Sequence, residues 1–159
     1  MKRILTLVAA LALPLVAAGV LLAQGNPFVG TWKLNVAKSK FTGIQAPKSE
    51  TRTVVAQGQG EKLTYEGTAA DGSPIAYSFA TNLDGKDSPI SGSHPLGSDT
   101  VAVTRVDANT VTSISKKAGK TIFRTRTVVS KDGKVSTQTT KGVNGDGQPI
   151  NITTVWDKQ

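Results

Sequence analysis

The sequence contains no cysteine, so neither a disulfide framework nor a thiolate metal centre can hold this chain together. Histidine is almost as scarce. His94 is the only one, and it sits in SGSHPLGS, a stretch of turn formers that reads as a solvated loop. One imidazole without cysteines is too few for an ordinary zinc site. A nucleophile–base–acid relay needs partners that nothing in the sequence supplies. The carboxylates number 11, and several of them read as turn residues. Asp71, Asp132 and Asp146 stand in Asp-Gly turns, and Asp84 to Asp87 reads as another turn rather than a calcium loop. Catalytic residues, a metal and a cofactor are therefore not called for, and the chain reads as a non-enzyme. Aromatic residues make up 5% of the chain and basic ones are scattered, densest at Lys116-Lys117-Lys120 and Lys38-Lys40. That pattern argues against a nucleic-acid surface, which wants a basic stripe interleaved with aromatics.

The beginning of the chain has a distinct composition. Lys2 and Arg3 precede a charge-free apolar run from Ile4 to Ala23, the pattern of a secretory signal peptide. Cleavage after Ala23 places Leu21 at −3, and cleavage after Gly19 places Ala17 there. The former is preferred, giving a leader over 1–23 and one domain over 24–159, secreted or periplasmic. The rival is an uncleaved anchor, since about 20 apolar residues span a bilayer, but Pro14 and the alanines make a poor span. Removing Lys2 and Arg3 lowers the net charge from +8 to +6. The excess aids solubility and permits weak contact with an anionic membrane surface.

No stretch after the leader keeps apolar residues at helical spacing for more than two turns. Short alternating runs rich in Thr and Val recur instead, which predicts strands near 30–36, 51–57, 62–67, 75–82, 99–106, 110–116, 121–130, 134–141 and 150–157, with a short one near 87–91. Asp71-Gly72, Asp84-Gly85, Asp132-Gly133 and Asp146-Gly147 supply the turn chemistry. An internal echo supports the parsing: TRTVV and DGxPI recur at 51–75 and 125–150.

Alternation assigns Trp32 and Leu34, Leu63 and Tyr65, Tyr77 and Phe79, and Val101 and Val103 to shared inward faces, leaving the other faces wet. A sheet of this kind has raw edges unless it closes. The expected fold is all-β, a single antiparallel up-and-down β-barrel of about 8–10 strands, and a monomer.

NPFVGTWKLNVAKSKF (26–41), with Gly30-Thr31-Trp32 at its centre, resembles the first strand of the calycins, the lipocalins and fatty-acid-binding proteins. The ending Thr153 to Lys158 is similar to their closing strand. The chain looks closer still to exported bacterial proteins described only as lipocalin-like. The resemblance implies a barrel that carries a small molecule, with Gly30 and Trp32 as a structural motif at the closed end. Two departures stand out. Residues 37–50 hold no helical stripe for a lid, so any portal must be made of loops. The fatty-acid-binding proteins hold a carboxylate with an Arg and, two residues on, a Tyr; Thr154 and Trp156 occupy those positions here.

The leading expectation is an exported barrel that binds an apolar or amphipathic small molecule, such as a lipid. Its expected lining is Leu34, Leu63, Tyr65, Tyr77, Phe79, Val101, Val103, Phe123 and Ile152. The alternative is a structural or interaction barrel filled by its own side chains. Arg124 and Arg126 share one strand face. Turned inward, they would contact an anionic head group; turned outward, they leave Phe123, Thr125, Thr127 and Val129 as the interior. Arg52 occupies the echoing position in the first unit, which suggests a surface role for both.

Overall fold

Alternation of Thr and Val with smaller polar residues builds sheet almost throughout the computed structural model, which describes residues 25–159. The expected leader over 1–23 lies outside the described residues. Among the described residues no helix is long and apolar enough to cross a membrane. Twelve strands follow one another: β1 (Gly30–Leu34), β2 (Lys40–Thr42), β3 (Ser49–Gln57), β4 (Gly60–Thr68), β5 (Pro74–Thr81), β6 (Asp84–Pro89), β7 (Ser91–Ser93), β8 (Thr100–Asp107), β9 (Thr110–Lys117), β10 (Lys120–Val129), β11 (Val135–Val143) and β12 (Pro149–Lys158). A single 3-10 turn, Val36–Lys38, separates β1 from β2 and is capped by the Asn35 side chain.

All the pairings are antiparallel, in the order β6-β8-β9-β10-β11-β12-β1-β3-β4-β5-β7, with β2 added to β12. The two ends of that order are successive pieces of chain. β6 pairs with β8, Ile90 donates its N–H to the Asp99 carbonyl, and β7 pairs with β5. The ribbon therefore meets itself and forms a nearly closed up-and-down barrel, as the alternation and the edge argument predict. The opening and closing strands lie side by side, with Trp32 opposite Lys158 and Leu34 opposite Trp156.

Aspartates hold the turns. Asp71, Asp84, Asp107 and Asp132 each accept a hydrogen bond from the backbone N–H two residues on, the Asx geometry that reverses a chain locally. The Ser73 and Ser130 hydroxyls at Asp71 and Asp132, and the backbone N–H groups at Asp84 and Asp107, are the main causes that lower these carboxyls below the usual carboxylate range.

One end of the barrel is filled. Phe28, Trp32, Leu34, Val54, Val129 and Trp156 belong to a continuous buried cluster, and Trp32 has no exposed surface. The Trp32 indole N–H donates to the Phe28 carbonyl at 2.9 Å, so the ring is tied to the segment before β1 rather than to a neighbouring strand. Leu34, expected on the ligand lining, belongs to this filled end. Leu34 is the cross-strand partner of Trp156 and packs in the same buried cluster, and it is the Trp156 ring that faces the cavity at that level.

The echo has an unexpected outcome. In β3 the pentapeptide TRTVV turns Arg52 and Val54 inward; in β10 the same letters turn Thr127 and Val129 inward and leave Arg126 exposed. A bulge between Thr121 and Phe123 breaks the register of β10 against β9 and sets which residues face the axis from there on.

Gly142 of β11 lies between Phe123 and Ile150 on the flanking strands, at φ +149. A Cβ there would lie 2.2 Å from the Ile122 carbonyl oxygen. Gly142→Ala should therefore cost about 1–3 kcal/mol through backbone strain alone. Denaturant unfolding of the two proteins checks this, and equal midpoints would contradict it.

Candidate functional site

Above the filled end the barrel is hollow. A cavity of about 220 Å³ is walled by inward residues of β3, β4, β5 and β8 to β12. Leu63, Tyr65, Tyr77, Phe79, Val101, Val103, Phe123 and Ile152 all line it. Leu34, in the packed end, does not. Two segments line the mouth, Phe41 of β2 with the following Ile44, Gln45 and Pro47, and Ile90, His94, Pro95 and Leu96; Phe41, Ile44 and Leu96 pack against the cluster of Phe123, Ile150 and Ile152. As the lack of a helical stripe over 37–50 predicts, loops form the rim.

His94 departs from its sequence reading. It is half-buried, with its ring 4.6 Å from Tyr77 and 5.7 Å from Phe123 by centroids, and Nδ1 accepts the Leu96 N–H. Burial lowers its pKa from 6.5 to about 4, so the ring is neutral and forms part of the rim's apolar lining. Turn formers in SGSHPLGS do make the tight turn, with Gly97 N–H bonded to the His94 carbonyl. That turn folds the imidazole back over the barrel instead of into water.

Arg124 and Arg126 do not reach the cavity. Both are exposed, while Phe123, Thr125 and Thr127 take the inward face. Lining the interior with two guanidiniums would cost several kcal/mol each in desolvation, and threonines avoid that cost. Of the two orientations open to Arg124 and Arg126 the outward one is observed, and the alternative of a head-group contact there falls away.

The interior cation is Arg52, which the echo had placed on the surface. It is 2% exposed and closes the cavity floor from below. Its guanidinium carbon lies 5.3 Å from the Trp32 ring centre and 4.9 Å from that of Trp156, within cation–π range of both. Nη2 donates to Ser136 Oγ at 3.0 Å, and Nε has no partner among the described residues. Ladder register explains the arrangement: Trp32, Arg52, Tyr65 and Tyr77 are successive cross-strand partners on β1, β3, β4 and β5. The two tyrosine rings stack at 4.5 Å with 6° between planes. Tyr65 and Trp156 meet edge to face and roof the guanidinium over, and Arg52 is not part of the cavity wall.

One step toward the mouth on β3 is Glu50, which does line the cavity. Opposite it on β4 stands Gly67, with no side chain to cover it. Burial raises the Glu50 pKa from 4.5 to about 7, against the opposing pull of Arg52 and, after it, of the Tyr77 hydroxyl. Sequence reasoning passed over Glu50. The signal was the alternation Glu50-Arg52-Val54, legible only if a strand may carry two charges on its inner face. Across the floor, Gln138 hydrogen-bonds Thr127 and Thr154, and the Trp156 indole N–H donates to Thr154 Oγ1 at 2.9 Å. Thr154 and Trp156, at the positions of the absent carboxylate anchor, are thus engaged with each other.

Two buried groups give opposite pH dependences of stability. Glu50 binds its proton more tightly folded than unfolded, so its contribution falls as pH rises from 4.5 to about 7. His94 binds its proton less tightly folded, so its contribution grows as pH rises from about 4 to 6.5. The wild type should be nearly flat between pH 4.5 and 6.5. Glu50→Gln should unmask stability rising with pH, and His94→Gln stability falling with pH, each by at most about 1.4 kcal/mol per pH unit. Urea midpoints across that window test the signs. Arg52→Met should raise the Glu50 pKa above 7, read by carboxyl-carbon NMR, because the cation lowers it.

No family model matches the sequence, and no curated protein matches it. Solved structures do match in fold. The chain is similar to zebrafish ileal bile acid-binding protein complexed with cholic acid, with a TM-score of 0.50 and 13% identity over 84% of this chain and 99% of that one. It also matches lobster apocrustacyanin A1, with a TM-score of 0.43, 11% identity and coverage of 86% and 63%. Apocrustacyanin C2 gives a TM-score of 0.43, 11% identity and coverage of 87% and 64%. At these identities the likeness describes the fold alone, an antiparallel β-barrel.

Proposed function

We propose that this protein is an exported barrel that binds one small apolar or amphipathic molecule, lipid-like in character, between its sheet walls. The observation that carries the reading is the cavity. It is walled mainly by apolar side chains from many strands, holds a few convergent polar groups, and opens between loops, the usual composition of a small-molecule site. The fold neighbour complexed with cholic acid supports the class of ligand, an amphipathic one, without supplying its identity. The export part rests on the leader pattern at 1–23 and on the likeness to exported bacterial lipocalin-like proteins. Nothing in the wall resembles a nucleophile with its base, so the reading is one of carriage rather than turnover.

The filled end supports a limit on this proposal. Trp32, Arg52 and Trp156 occupy the depth of the barrel, so the occupant sits between floor and rim. Two measurements test the carrier reading. Protein purified from its native envelope and extracted with organic solvent should yield a stoichiometric small molecule by mass spectrometry. An apolar fluorescent probe should bind the emptied protein, and Val103→Trp, which fills the cavity, should weaken that binding at least tenfold while the far-ultraviolet spectrum is retained. A clean extract with no probe uptake would establish the side-chain-filled barrel instead.

A further inference from the structure

The polar groups of this cavity are arranged unevenly. The only buried cation among the described residues, Arg52, is shut beneath Tyr65 and Trp156 and held by two indole faces. The only carboxylate on the wall, Glu50, stands in the open cavity beside the Tyr77 hydroxyl and makes no ion pair among the described residues. The other polar groups at that depth, Tyr65, Gln138 and the threonines of β10 to β12, are neutral.

We infer that Glu50 is a specificity group. It selects a ligand whose polar end is an uncharged hydrogen-bonding group, an alcohol or an amide, and it rejects an ionised carboxylate. The inference rests on the carrier reading above and deepens it.

The physical argument is a comparison of two heads on one tail. A hydroxyl can donate to the Glu50 carboxylate, or accept from its protonated form, and can accept from a tyrosine, so it is satisfied in either state of Glu50. A carboxylate has only acceptors. Against ionised Glu50 it meets a like charge in a low-dielectric site, with Arg52 sealed from direct contact, and one of the two acids must take a proton. Glu50 is the one placed to do so, since burial brings its pKa to about 7. The groups facing it are few: Arg52 on its own strand, Tyr65 on β4, Tyr77 on β5 and His94 on the rim, with no charged residue from β8 to β12 on the cavity wall. The tyrosine pKa values are raised and His94 titrates near 4, so Glu50 is the group on that wall that changes charge between pH 6 and pH 8.

The test uses a neutral apolar dye and two competitors, dodecanol and dodecanoate, at pH 6 and pH 8. Dodecanoate is ionised in solution at both. Dodecanol should displace the dye equally at the two values. Dodecanoate should compete about tenfold less well at pH 8, the size of one pKa unit of coupling. Glu50→Gln, isosteric with the protonated acid, should abolish that difference and bring dodecanoate close to its pH 6 competition throughout. A second readout needs no variant. Calorimetry of the wild type at pH 8 in buffers of different ionisation enthalpy should show proton uptake with dodecanoate and none with dodecanol.

Dodecanoate that competes as well as dodecanol at pH 8, or a pH dependence that survives Glu50→Gln, would overturn the inference and leave the carrier reading standing. Failure of the dye and both competitors to bind would instead overturn the carrier reading itself.

Discussion

A guanidinium held between two indole rings ties the opening of this chain to its end. Arg52 on β3 lies over Trp32 on β1 and under Trp156 on β12, and it hydrogen-bonds Ser136 on β11. Those four strands are the seam where the first and last parts of the barrel meet. Burying a lone cation costs several kcal/mol. Two desolvated cation–π contacts at about 2 kcal/mol each, with a charged hydrogen bond, offset a large part of it. The arrangement works only when all four strands are in register, so closure of the barrel and burial of the charge depend on each other.

The same seam divides the interior. Below it, Phe28, Val54, Val129 and the indoles leave no space; above it, the rings of Tyr65 and Tyr77 form the floor of a cavity. The cation that an anionic ligand would seek is spent on holding the barrel together. The carboxyl group on the cavity wall is Glu50, where likeness to fatty-acid carriers would lead one to look for a cation. A closing-strand Arg and Tyr are absent at Thr154 and Trp156, and the structure uses Trp156 to cover a cation supplied from the opposite side of the seam.

Much of the architecture was legible because period-two alternation and Asp-Gly turns are local signals. The long strands, the antiparallel order and the wet outer faces follow from them. The inward assignment of Leu63, Tyr65, Tyr77, Phe79, Val101, Val103, Phe123 and Ile152 agrees with the observed cavity wall for the same reason. Leu34 shows the limit of that logic, since alternation tells in from out but not which inward side chain a larger neighbour, here Trp156, covers. His94 shows another: composition marked a turn, while the direction in which the turn folds depends on Tyr77 and Phe123, far away in sequence.

TRTVV states the division most directly. By itself the sequence determined that these segments are strands, that each has two unlike faces, and that short connections favour closing the ribbon over stacking it as two sheets. It could not determine which face is which. The two copies present opposite sides, Arg52 to the core and Arg126 to solvent, although their letters are identical. A strand's faces alternate with a period of two, so a single bulged residue exchanges them, and only pairing with neighbouring strands sets the register. Tertiary structure therefore decided where the buried charge lies, which acid faces the cavity, and what chemistry the cavity can accept.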